Sequence, residues 1–238
     1  MSEAPSEPKA PSDTGDGRFT ALPEWLRPVA EGLAGVTSAT LSPQMPAPPR
    51  SARRAAVLML FGEAASGPDL LLTERAHTLR SHPGQIAFPG GREDPGDRDL
   101  VDTAFREAYE EVSLDPAGVS VVGELPQLWI PPSNSSVTTI VGWWHTPGPV
   151  GVVDEAEVAT VLRVPIAHLL DPENRFTVRL SGGWKGPAFD VGDGLVLWGF
   201  TAGIVSRLFA HVGWERAWDH SRVRPRPVPG GDSLDSGG

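Results

Sequence analysis

Three glutamates and an arginine in one short run, Arg106-Glu107-Ala108-Tyr109-Glu110-Glu111, have the types and spacing to hold a cation. On a helix, Glu107 and Glu111 project from adjacent turns on the same side, and Glu110 lies three residues from Glu107. Like charges at that spacing repel and weaken a helix, so the cluster calls either for plain solvation or for a cation to neutralise it. Carboxylate oxygens are hard ligands that suit Mg2+ or Mn2+. Taken alone, an acidic cluster on an amphipathic helix is usually only its solvated face. The preceding segment, IAFPGGREDPGD, changes the balance: a strand end, then Pro89, Gly90 and Gly91, then a turn-rich acidic loop. Glycines there let backbone approach a ligand or take left-handed conformations. A strand, a Gly-rich loop and a helix bearing Arg-Glu-x-x-Glu-Glu together make a preorganised metal and phosphate site.

The helix that positions these groups is predicted from Asp99 to Leu114. Its apolar stripe is Leu100, Val101, Ala104, Phe105, Ala108 and Val112, which leaves Arg106, Glu107, Glu110 and Glu111 on the remaining faces, outside the core. Before it, AAVLMLFG (Ala55–Gly62) and PDLLLTERA read as two strands joined at Ser66, Gly67 and Pro68. Val119 to Ile130, Val137 to His145 and Arg175 to Leu180 read as further strands, β-branched or aromatic and bounded by turn residues. The apolar stretch Leu195 to Ala210 reads as a buried strand running into a core helix, roughly Thr201 to Val212. It is too short to span a bilayer and Arg207 interrupts it. Strands, a helix, more strands and a closing helix, with no internal repeat, argue for an α/β or α+β sandwich with a mixed sheet.

The chain has 238 residues and a formal net charge of -10, so its average field repels polyanions and nucleic acid is a poor partner. A small phosphorylated substrate then needs a local arginine patch, a bound cation, or both. The absence of cysteine excludes disulfides, thiolate metal sites and a Cys nucleophile. The N-terminus lacks the pattern of a secretory signal, so a cytoplasmic protein without membrane attachment is the expectation. Residues 1–18 and 222–238 read as disordered tails. Residues 19–50 read as an N-terminal extension and Pro-rich connector, with Trp25, Leu26, Val29 and Leu33 on one helical face and Pro28 kinking or ending a turn. The main domain is expected over 51–215.

REAYEE (Arg106–Glu111), preceded by Gly90 at a loop's length, resembles the Nudix box, and LLLTERAHTLRSHPGQIAFPGG (Leu70–Gly91) is similar to the extended motif of the coenzyme A pyrophosphatase branch of that family. The positions equivalent to Leu71, Leu72, Thr73, Arg75, Arg80, Gly84, Phe88, Pro89, Gly90 and Gly91 define that motif, and all are present. So many specified positions in order over one window is a far sharper signal than a lone Gly-rich loop. Two departures stand out. The loop from Gly90 to Arg106 is one residue longer than the common box, so Arg98 falls where a loop glutamate is usual and Asp97 becomes the substitute ligand; the closing Gly is replaced by Ser113.

The resemblance implies a Nudix α/β/α sandwich and hydrolysis of the pyrophosphate of coenzyme A, or of a derivative, to 3',5'-ADP and 4'-phosphopantetheine or its acyl form. It implies Mg2+ or Mn2+ held by Glu107 and Glu111, with Glu110 as ligand or water-positioning group, and Arg106 paired with a box glutamate. Arg75 and Arg80, with Gly90 and Gly91, are the expected substrate contacts, although Arg75 on a strand equally suits a fold-stabilising ion pair. His82 is left out of catalysis, and no general base is assigned. Trp143 and Trp144 offer a surface for adenine, but neighbours on a strand face opposite ways and at least one is expected in the core. Two alternatives stand beside this reading: a Nudix hydrolase of another nucleoside diphosphate derivative such as ADP-ribose or a dinucleotide, and a non-catalytic binding module. Retention of all three box glutamates weighs against the second.

Overall fold

The computed structural model describes residues 22–42, 46–179, 183 and 185–227. The segments 1–18 and 228–238, expected as tails, lie outside the described residues. Strands β1 (Arg53–Ala64) and β2 (Gly67–Arg75) form the expected hairpin, Gly67 supplying a positive φ of 102° at the turn. Two short strands, β3 (Ile86–Ala87) and β4 (Gly90–Arg92), leave β2 and return along β1. Next come helix α3 (Leu100–Val112), β5 (Val119–Glu124), β6 (Leu128–Ile130), β7 (Ser135–Trp144) and β8 (Val158–Pro165). Two short helices, α1 (Arg27–Gly32) and α2 (Ser38–Leu41), precede this domain. Strand β1 pairs parallel with β7 from Arg53 opposite Ser135 to Phe61 opposite Trp143, while its other neighbours run antiparallel, so the sheet is mixed as expected.

Side-chain alternation along β1 builds both halves of the core. Leu58 and Leu60 face α3 with Leu71, Ile140 and Trp144. Met59 and Phe61 face the opposite layer, where Leu26 and Val29 meet Val205, Leu208 and Phe209 of α5 (Gly199–His211). Trp143 and Trp144 obey the same rule, one in each cluster, and both are buried, so neither is a stacking platform. Trp143 instead meets Trp25 edge-on with ring centroids 5.6 Å apart. Pro28 sits in the first turn of α1, where its missing N–H costs nothing, and so starts a helix rather than kinking one.

A second sheet, ordered β11 (Leu195–Leu197), β10 (Lys185–Gly192), β9 (Arg175–Arg179), β12 (Val223–Pro225), packs with α4 (Ile166–Leu170) and α5 beside the first. The expected single run from Val119 to Ile130 is two strands, because Pro126 cannot donate to the ladder and the chain breaks around it. The expected tail from residue 222 is also corrected: Val223–Pro225 pairs parallel with β9, and Thr177 N donates to Arg222 O at 2.8 Å. Backbone ladder bonds and arginine–aromatic stacking hold this segment, so its low apolar content is a poor guide to order.

Candidate active site

Asp99 caps α3, accepting from Asp102 N at 2.9 Å. At the other end Ser113 adopts the left-handed conformation, φ 59°, that the missing glycine would have taken, and its N–H still closes the helix on Ala108 O and Tyr109 O. The cap therefore survives the departure at the cost of strain at one non-Gly residue. Ser113→Gly should raise stability by about 1 kcal/mol, measured by thermal melts. No gain would mean that Ser113 relieves its strain elsewhere.

The helix does not present its acids as one solvated face. Glu110 has a side chain 55% exposed, Glu107 only 16%, and Glu111 is buried at 5%. The expectation that all three lie outside the core is thus corrected for Glu111. Its carboxylate turns under the Gly-rich loop and accepts the N–H of Gly90 at 3.1 Å. Burial pushes its pKa up to about 8, opposed in part by the Gly90 N–H and by the charge of Arg75 and reinforced by Glu107 and Glu157. Burial likewise raises Glu107, against the pull of Arg106.

Both glycines are needed at this approach. A Cβ on Gly91 would lie 2.4 to 2.5 Å from the Glu107 carboxylate, and one on Gly90, at φ 151°, would lie 2.4 Å from Ala56 O. The pair lets the loop close over two carboxylates. Arg106 then binds the cluster together: Nε and Nη2 hold Asp97 at 2.9 and 3.0 Å, Nη1 reaches Glu107 and Glu110 at 3.0 Å each, and Nη2 also meets Arg92 O at 2.9 Å. The fork geometry of guanidinium allows all of these at once.

Asp97, the expected substitute ligand, has its carboxylate engaged within the protein. Its oxygens are taken by Arg106, by Thr103 Oγ1 at 2.8 Å and by Asp94 N at 2.9 Å, and the Arg106 bonds hold its carboxyl well below the usual carboxylate range. A carboxylate so satisfied anchors the loop and Arg106. Arg75 shows the reverse: it makes no ion pair among the described residues, and its buried Nε has no partner there. It is not the fold-stabilising bridge that its strand position also allowed. Arg80 stands exposed in the loop between β2 and β3 with no side-chain hydrogen bond or ion pair among the described residues, and His82 lies two residues on at φ 56°.

Glu157 was missing from the sequence reading, one of three acids in DEAEVAT with no motif around it. Its backbone O accepts Ala76 N at 2.8 Å, which brings it to the end of β2, and its charge raises both Glu107 and Glu111. Among the described residues no three His, Asp or Glu side chains stand as a ready cation cage. The donor set nevertheless fits one: two carboxylates crowded together at low exposure both carry raised pKa values despite the pull of Arg106 and Arg75, and a hard divalent cation would offset that charge.

A NUDIX domain family model matches residues 51–179. The chain belongs to the Nudix family. Among curated relatives, a protein of Photorhabdus laumondii named uncharacterized Nudix hydrolase NudL is 39% identical over 179 residues, covering 71% of this chain and 92% of that one. Its namesake in Cronobacter sakazakii is 38% identical over 192 residues, covering 73% and 90%. Among solved structures, a Nudix hydrolase of M. smegmatis, RenU, matches with a TM-score of 0.49 at 19% identity, over 71% of this chain and 90% of that one. This Nudix hydrolase is thus an enzyme of phosphoanhydrides in nucleoside diphosphate derivatives, a family that uses divalent cations and small-molecule substrates. Among the described residues no helix is long and apolar enough to cross a membrane.

Proposed function

We propose that this Nudix hydrolase cleaves the phosphoanhydride of coenzyme A or its derivatives, giving 3',5'-ADP and 4'-phosphopantetheine or its acyl form. The observation that carries the reading is the Leu70–Gly91 motif, complete at each of its ten defining positions and continuous with a loop that closes on Glu107 and Glu111. In this reading Glu107 and Glu111 hold Mg2+ or Mn2+, and Glu110, more exposed, serves as a further ligand or positions water. A divalent cation at these carboxylates neutralises charge developing on the phosphate oxygens. Arg106, fixed by Asp97, keeps Glu107 and Glu110 in place. Arg75, with an unpaired buried Nε beside Glu111, and Arg80 on its exposed loop are the phosphate contacts, and Gly90 and Gly91 admit the close approach.

The test is product analysis by mass spectrometry after incubation with coenzyme A, acyl and oxidised forms, ADP-ribose and dinucleotides. Coenzyme A compounds should be cut to 3',5'-ADP in the presence of Mg2+ or Mn2+, with activity lost in excess EDTA. Faster cleavage of ADP-ribose or of a dinucleotide would replace the substrate. Full turnover in EDTA would overturn the metal role.

A further inference from the structure

One face of the second sheet carries two arginines, each set over an aromatic ring. Arg54, Arg98, Arg106, Arg163, Arg175 and Arg222 each pair with a carboxylate. Among the described residues Arg224 and Arg226 pair with none, and the buried Nη1 of Arg224 has no hydrogen-bond partner there. Two residues apart with Pro225 between them, they point to the same side of the chain. The Arg224 guanidinium lies 4.2 Å from the centroid of Phe176, and that of Arg226 lies 5.9 Å from the centroid of Trp198. Phe176 and Trp198 belong to one small cluster with Val178, Ala188 and Val196, separate from the two main cores.

We propose that Arg224 and Arg226, backed by Phe176 and Trp198, form a subsite for a phosphomonoester on the ribose of the nucleotide substrate, away from the anhydride that is cut. This rests on the substrate reading above, since such a phosphate distinguishes coenzyme A from ADP-ribose. A guanidinium laid on a ring is fixed in plane while its edge N–H groups stay free, the geometry for two-point phosphate recognition. The local positive charge also answers the need of a chain with formal net charge -10 to gather an anion. A relay of contacts leads from the end of β2, at Arg75, to Trp198. Arg75, beside Glu111, donates its N–H to Gln85 O at 3.1 Å and accepts from Gly84 N at 3.0 Å. The Gln85 side chain in turn packs on Gly199, where a Cβ would come within 2.9 Å of Nε2, and Trp198 is the next residue. Strand β11 lies beside β3 at the same junction.

Calorimetric titration of the full chain in EDTA with adenosine 3',5'-bisphosphate and with adenosine 5'-monophosphate tests this without turnover. The wild type should bind the bisphosphate about tenfold more tightly, the scale of one charge-assisted contact pair. Arg226→Gln should bring the two affinities together, and Arg226→Lys should restore part of the difference. Arg224→Gln, with its melting temperature recorded, gives a second probe should Arg226→Gln fold poorly. Equal binding of both nucleotides by the wild type, no binding of either, or a preference that persists in both Gln variants would overturn the subsite. Failure to cleave coenzyme A would overturn the proposed function and leave this comparison standing; coenzyme A cleavage without the nucleotide preference would overturn the subsite alone.

Discussion

Glu107→Gln and Glu111→Gln should each cut turnover by about 100-fold or more while leaving the protein folded. Glutamine keeps the shape and helix propensity of glutamate and removes the charge, so a role in cation binding is lost without a cavity. A fall of that size corresponds to about 2.7 kcal/mol of transition-state stabilisation, the usual scale for one preorganised electrostatic contact. Stability should move the other way. Glu111 has a folded pKa raised to about 8 from 4.5, so its contribution is fully present below pH 4.5 and is lost as pH rises through 8. In metal-free protein at pH 8 the Glu111→Gln variant should therefore melt above wild type, the gap narrowing as pH falls towards 5. Added Mg2+ should also narrow it by stabilising wild type alone. Glu110→Gln, altering the most exposed of the three, should lose least. Near-normal turnover in both Glu107→Gln and Glu111→Gln would refute the site.

Replacing the two loop glycines by alanine should separate catalysis from folding. Gly90→Ala meets backbone, with Ala56 O at 2.4 Å and Val57 Cα at 2.6 Å, at a φ of 151° and within the β1–β4 ladder. None of these atoms is free to swing away, so a loss of about 3 kcal/mol or more in stability is expected, read from denaturant melts. Gly91→Ala meets only the Glu107 carboxylate, at 2.4 to 2.5 Å, which can rotate aside. Here the fold should hold and turnover should drop nearly as far as in Glu107→Gln. Equal stability in the two variants would show that the loop adjusts more freely than its packing implies.

The sequence made α3 and its box readable because apolar residues recur at helical spacing and Pro89, Gly90 and Gly91 mark the turn before it. It did not distinguish Glu111 from Glu110, since burial of one and exposure of the other depends on where the loop 88–91 folds back, a tertiary matter. Asp97 was placed near the helix start, but its capture by Arg106 and Thr103 follows from the path of the longer loop. Strand β8 was passed over because Thr160 and Arg163 break its apolar pattern, and Glu157, just before it, is brought to the end of β2 by the adjoining β2–β8 pairing and the Ala76 N–H. Arg75 could be read as ligand or bridge until its neighbours were known. The boundary at residue 222 was misjudged because a strand held by ladder bonds and stacked arginines leaves no hydrophobic signature.

Binding of Mn2+ to wild type, Glu107→Gln and Glu111→Gln, followed by electron paramagnetic resonance without substrate, tests most directly whether these carboxylates are a cation site. The wild type should remove Mn2+ from the free-ion signal at a saturable site, and both variants should weaken that binding by at least about tenfold, as expected when one charged ligand is lost. Unaltered Mn2+ binding in both variants would contradict the account, leaving the buried pair of glutamates without the role assigned to it.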